Sequence, residues 1–258
     1  METPLWFIFC QSDLLLLKQA DGTFDVPRGA QPPLPAKPWN TVHTLPVADG
    51  EMKTFRIDSP PDLPSYELCP LRKSYYLLPF EHYLHAGKCY EINYWDQNTR
   101  YCGVCGGAMK KSSAISKRCT QCGKEVWPQL ATAVIVLVHR GDEVLMVRAR
   151  NFRGDFYGLV AGFVETGETL EEAVAREVME ETGITITNIR YFASQPWPYP
   201  CGLMVGFHAD FVSGNIHLQH EELSTGGWFR ADNLPHLPEK LSIARQLIDS
   251  WLEAGGKE

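Results

Sequence analysis

At 258 residues the chain can hold one large domain or two modest ones, and either can bury a core without disulfides. Its 24 Lys and Arg against 31 Asp and Glu leave a net charge of -7, so the surface as a whole repels a polyphosphate backbone, and non-specific nucleic-acid binding is excluded as a default. The longest clean apolar run, Ala133 to Val138, is far short of the about 20 residues of a membrane helix, and Glu2 and Pro4 stand where a secretory signal carries basic residues. The expectation is a cytoplasmic protein with no membrane partner.

Residues 1–98 predict a small β-rich domain of short strands, with proline clusters at 27–38 and 60–64 interrupting any long helix. Residues 99–126 are rich in Gly and Lys and too poor in apolar residues to fold by burial alone, so a metal must organise them. Residues 127–258 predict a second domain. Ala131 to His139 and Val144 to Ala149 are apolar-rich strands joined by the polar turn Arg140-Gly141-Asp142-Glu143, as in a hairpin. Strands follow near Ile189–Ala193, Leu203–Val212 and Gly227–Arg230. A last helix carries Leu241, Ala244, Leu247, Ile248 and Trp251 on one face. No internal repeat is visible.

Four of the eight cysteines form Cys102-x2-Cys105 and, thirteen residues further, Cys119-x2-Cys122. Each pair presents two thiolates to one tetrahedral ion, and four cysteines close its coordination, so the expected cofactor is one structural Zn²⁺ per chain. Lys110, Lys111, Lys117 and Arg118 lie inside this ribbon and leave a nucleic-acid contact open.

Between Gly162 and Ile184 the sequence reads GFVETGETLEEAVAREVMEETGI. Thr169 with Glu172 three residues on is a capping-box start and Gly183 a helix stop, which predicts a helix over Leu170–Thr182. At 3.6 residues per turn, Ala173, Val174 and Val178 define its core face, and Glu177 and Glu181 fall inside that arc with Glu180 on its border. Like charge turned inward is stable only with compensating cations, and hard divalent ions suit carboxylate oxygens.

This segment resembles the Nudix box, G-x5-E-x7-R-E-U-x-E-E-x-G-U with U aliphatic: Gly162, Glu168, Arg176, Glu177, Val178, Glu180, Glu181, Gly183 and Ile184 fill every fixed position. The resemblance implies an α/β/α sandwich around a mixed sheet that hydrolyses a nucleoside diphosphate linked to another group. It implies that Glu177, Glu180 and Glu181 hold Mg²⁺ or Mn²⁺, that Arg176 orients a carboxylate and that Glu168 supports the loop or takes part in metal or base chemistry.

Ser194-Gln195-Pro196-Trp197-Pro198-Tyr199-Pro200 resembles the array of the NADH pyrophosphatases within that family, with Tyr199 for the usual Phe, and its three alternating prolines predict a stiff loop that presents Trp197 or Tyr199 to a planar base. An N-terminal domain, a four-cysteine ribbon and a Nudix domain follow one another in the order of those enzymes. The resemblance implies further metal ligands at Glu222 and the Ala161 carbonyl. It implies substrate contacts at Arg72, Trp127, Gln195, Pro196, Trp197, Pro198, Tyr199, Pro200, Cys201, Gly202 and Ala244. Phe163 is a further stacking candidate or a core residue. Trp127 replaces a more usual Tyr, and Ala114 stands where a Glu is expected. The implied reaction cuts NAD(H) into nicotinamide mononucleotide and AMP, in a homodimer, with NAD-capped RNA as a second substrate of the same chemistry. ADP-ribose or dinucleoside polyphosphates remain alternative substrates, and a non-catalytic zinc-ribbon binding protein is the alternative of another class.

Overall fold

Leu5–Cys10 (β1) is buried at every position, which an alternating strand achieves only when a core lies on each of its faces. The computed structural model describes residues 3–47, 50–151 and 154–256 and forms two compact units, Met1–Leu130 with Pro198–Cys201, and Ala131–Trp197 with Gly202–Glu258. In the first unit β1 is followed by Asp13–Lys18 (β2), Phe24–Asp25 (β3), His43–Val47 (β4), Gly50–Ile57 (β5) and Tyr66–Pro70 (β6), then by helices Leu71–Ser74 (α1) and Phe80–Asn98 (α2). The sheet runs β3-β2-β1-β5-β4 with β6 also on β2, and only β1 and β5 are parallel. Phe7 and Phe9 pack with Ala86, Cys89 and Ile92 of α2. Trp6 and Ile8 turn to the other face, where Leu34 and Ala36 of the proline-rich segment cover them.

The expectation of short strands alone is corrected here, because α2 is a helix of 19 residues. Both proline clusters precede it, and it begins directly after Pro79. Polar groups interrupt its buried stripe: Asn93 is buried and donates to the Thr54 hydroxyl at 2.7 Å.

The ribbon belongs to this unit and consists of Met109–Ser113 (β7), Ser116–Cys119 (β8) and Glu125–Val126 (β9) in the order β7-β8-β9. Lys117 is buried, pairs with Asp96 at 2.8 Å and donates to the Asp96 and Thr99 carbonyls. Burial alone would raise the Asp96 carboxyl, but hydrogen bonds and charge from His43 and Lys117 hold it well below the usual range. Lys117 is therefore a tether between ribbon and α2, with its ammonium engaged there and not presented to nucleic acid, and Arg118 is paired with Glu125.

The second unit contains Ala131–Arg140 (β10), Glu143–Ala149 (β11), Val160–Phe163 (β12), Leu170–Thr182 (α3), Thr185–Trp197 (β13), Gly202–Ser213 (β14), Leu223–Arg230 (β15) and Ile243–Glu253 (α4). Its sheet runs β13-β14-β10-β11-β15 with β12 on β10, and only β10 and β14 are parallel. Alternation on β10 divides the core: Val134, Val136 and Val138 join Ala173, Val174 and Val178 of α3, whereas Ile135 and Leu137 join Leu247, Ile248 and Trp251 of α4. The result is an α/β/α sandwich around a mixed sheet.

The two units repeat one strand scheme, which corrects the reading of no internal repeat. In each, a hairpin (β1-β2, β10-β11) is joined in parallel by a later strand (β5, β14) that pairs with the strand before it, while the second hairpin strand takes a partner (β6, β15) ahead of the closing helix (α2, α4). The first unit has the proline-rich cover where the second has β12 and α3. Among the described residues no helix is long and apolar enough to cross a membrane.

Candidate functional site

Helix α3 begins with a complete capping box at Thr169 and Glu172 and ends on Gly183 in the left-handed region, φ 71°. Its core face buries Ala173, Val174 and Val178 and takes Glu181 in with them. One Glu181 carboxylate oxygen is buried with no hydrogen-bond partner, and burial, then the charges of Glu177 and Glu222, push the Glu181 pKa up to about 8. A carboxylate so placed takes up a proton or a cation.

Arg176 organises the neighbouring carboxylates. Its Nε and Nη2 grip both oxygens of Glu168 at 3.0 and 2.7 Å, its Nη1 meets Glu177 at 2.9 Å and Glu180 at 3.0 Å, and its Nη2 also donates to the Phe163 carbonyl. The Arg176 hydrogen bonds and one from the Glu165 amide hold Glu168 down at about 2, so Glu168 is a poor proton acceptor and an anchor for the loop. Glu177 moves the other way, because burial outweighs its pairing with Arg176.

Glu181, Ala161 and Glu222 line a cavity of about 420 Å³ together with Glu221 and Arg150. Arg150 was not singled out by the sequence reading; its amide donates to the Glu222 carbonyl at 2.7 Å and its side chain to the His220 carbonyl. The only hint was an Arg at the end of an apolar strand, a common surface pattern. Phe163 projects outward, 65% exposed. The sequence reading also passed over His139 and His208, whose ring nitrogens stand 2.8 Å apart and whose pKa values are both lowered, first by burial.

The positions expected to contact substrate divide between the units. Gln195 is buried and both ends of its carboxamide are engaged: it donates to the Leu241 carbonyl and accepts from the Ile243 amide, each at 2.7 Å. It thus fixes the start of α4, the helix that carries the buried Ala244. Ser194 to Trp197 is the end of β13, not part of a loop, with Pro196 opposite Leu203 and Trp197 opposite Gly202. The loop is the four-residue tip Pro198–Cys201, in the first unit, where Tyr199 packs against the α2 core. In that unit Arg72 is the second residue of α1, and Trp127 and Cys201 line a cavity of about 550 Å³ with Glu91 and Trp95 of α2.

The four ribbon cysteines bring their sulfurs within 4.8 Å of one another, with Cys102–Cys122 at 3.6 Å and Cys105–Cys119 at 3.5 Å. Zn–S bonds of about 2.3 Å in a tetrahedron put sulfurs roughly 3.8 Å apart, so the set fits Zn²⁺. Amides of Cys122 and Gln121 directed at Cys119 lower its thiol, whereas the Cys122 thiol is raised: the Lys124 amide lowers it, but hydrogen bonds with Cys105 and Cys102 outweigh that, so the four sulfurs share protons that a metal would displace.

Three family models match the chain in succession: the NADH pyrophosphatase-like rudimentary NUDIX domain over residues 3–95, the NADH pyrophosphatase zinc ribbon domain over 97–126 and the NUDIX domain over 128–251. A Pseudomonas aeruginosa (strain LESB58) protein called NAD-capped RNA hydrolase NudC is 43% identical over 77% of this chain and 72% of its own length. The protein of the same name from Stutzerimonas stutzeri is 41% identical over 79% and 75%. A crystal structure of a NUDIX hydrolase from Nitrosomonas europaea superposes with a TM-score of 0.51 at 20% identity, over 60% of this chain and 90% of that one, a likeness of fold. With its box complete, its ribbon formed and its first unit a stripped repeat of its second, the chain belongs to the Nudix hydrolases, in the group built from a rudimentary Nudix domain, an NADH pyrophosphatase zinc ribbon and a Nudix domain.

Proposed function

We propose that the chain hydrolyses the diphosphate bond of NAD(H) to nicotinamide mononucleotide and AMP, and that the same cut removes an NAD cap from RNA and leaves a 5′ monophosphate. The relatives called NAD-capped RNA hydrolase and the matched NADH pyrophosphatase domains support the substrate class. The observation that carries the chemistry is the buried, partnerless oxygen of Glu181 in a cavity shared with Ala161 and Glu222.

Glu177, Glu180, Glu181, Glu222 and the Ala161 carbonyl are the groups we assign to Mg²⁺ or Mn²⁺. Bound divalent ions neutralise diphosphate oxygens and make a water a better nucleophile. Arg176 contributes by holding Glu177 and Glu180 in place, and Arg150 supplies a cation at the cavity wall. Arg72, Trp127, Phe163, Ala244 and the array from Gln195 to Gly202 are the substrate positions of this reading, with Gln195 acting through α4. The ribbon zinc is structural. A cytoplasmic homodimer completes the proposal on the resemblance alone.

Turnover of NADH, NAD-capped RNA and ADP-ribose at matched salt tests it. Faster hydrolysis of the two NAD compounds than of ADP-ribose is expected, and a preference for ADP-ribose would overturn the substrate assignment.

A further inference from the structure

The Pro198–Cys201 tip joins two strands of the second unit yet packs within the first, against α2. Two residues of α2, a helix turn apart, meet it. The hydroxyl of the buried Tyr83 stands 3.0 Å from that of Tyr199. Gly87 faces Pro198 so closely that a β-carbon there would lie 2.9 Å from the proline Cγ. The proline ring is rigid and Pro198 is itself buried, so neither partner yields cheaply. The charge of Arg72 also reaches Tyr83: burial raises the Tyr83 phenol, while the Tyr199 hydrogen bond and Arg72 oppose that rise. Arg72, Pro198 and Tyr199, three positions assigned to substrate, thus gather around one helix that carries no box residue.

We propose that Tyr83 and Gly87 are positioning residues: they clamp the array tip, and through it set the preference of the reaction for a dinucleotide. The inference rests on the reading of the array as a substrate-selecting segment. It gives the rudimentary domain a task, holding the tip in one conformation, and it explains a glycine in the middle of a 19-residue helix, where glycine is otherwise unfavourable. Every contact invoked lies inside the first unit, and the tip is bonded at its ends to Trp197 of β13 and Gly202 of β14. Tyr83 supplies direction, because a hydroxyl pair fixes the tilt of the Tyr199 ring, and Gly87 supplies proximity.

Gly87→Ala separates positioning from folding, since the substitution favours the helix while it pushes on Pro198. The expected result is a melting temperature close to wild type, because the helix propensity gained offsets the displacement of Pro198, with kcat/KM for NADH lowered about 3- to 30-fold, mainly through KM, and ADP-ribose turnover changed about 2-fold or less. In a Pro198→Ala background, which removes the Cγ, the same Gly87→Ala change is expected to have at most about a 2-fold effect on NADH, the coupling of residues in contact. Tyr83→Phe, which keeps the ring, is expected to raise KM for NADH with kcat little changed. Wild-type NADH kinetics in Gly87→Ala, or equal losses on both substrates with a lowered melting temperature, would overturn the clamp. A wild-type enzyme that does not favour NADH over ADP-ribose would instead overturn the reading of the array, and the clamp's role in selection with it.

Discussion

Gly162 lies flush against the carboxylate of Glu177: a β-carbon at position 162 would stand 2.0 Å from Glu177 Oε1. The box glycine is thus a steric requirement of a metal-binding candidate, set by the approach of β12 to α3. Gly162→Ala should leave circular dichroism unchanged and lower kcat by about 10²-fold, the usual effect of moving a reacting group by about 1 Å. Near-wild-type kcat would show that Glu177 moves aside without consequence.

Arg176 joins Glu168, Glu177 and Glu180 through a planar fork that lysine does not reproduce. Arg176→Lys should lower kcat on the order of 10- to 100-fold and the melting temperature by about 2–4 °C, since the carboxylates lose their shared partner. A variant with full activity in saturating Mg²⁺ would refute the organising role.

Glu181 links activity to a pH signature. Its folded pKa, about 8, lies above the ordinary 4.5, so the fold favours the protonated acid. The destabilisation is absent below about pH 4.5, grows as pH rises and is complete above about 8. Metal-free protein should therefore lose stability in denaturant titrations between pH 5 and 8, and Mg²⁺ should flatten that slope. Glu181→Gln should reduce the slope, the remainder belonging to Glu91, whose carboxyl burial also pushes up to about 7, and to Glu177, and should be more stable than wild type at pH 8 in chelator. An unchanged slope in the variant would assign it to other groups.

Cys119→Ser removes one of four thiolates and should reduce bound zinc from one per chain to well under half, with a lowered melting temperature. Undiminished zinc by elemental analysis would contradict the site.

The box helix was legible because every signal agreed: cap, stop, apolar arc and carboxylates all lie between Thr169 and Gly183, and the helix spans the residues expected. Helix α4 was legible through its apolar face, which buries Ala244, Leu247, Ile248 and Trp251; Leu241, expected on that face, is buried two residues ahead of the helix, which Ser242 caps. Helix α2 was not legible, because buried Asn93 and half-buried Glu91 blur its stripe and the prolines upstream signal turns. Pro196, Pro198 and Pro200 together signal a loop, yet β13 is the edge strand of its sheet, where a proline such as Pro196 is tolerated. The repeat was invisible for a related reason: the scheme is conserved in strand pairing, while a proline-rich cover over Trp6 and Ile8 stands where the second unit has α3. That Gln195 braces the start of α4 was not legible, since its two backbone partners lie 46 and 48 residues away.

Product analysis is the most direct test of the central claim. NADH incubated with the protein and Mg²⁺ should yield equimolar reduced nicotinamide mononucleotide and AMP, and Glu181→Gln should reduce the rate on the order of 10²- to 10³-fold. Intact NADH, release of free nicotinamide, or the same rate in Glu181→Gln would contradict hydrolysis of the diphosphate by the box carboxylates.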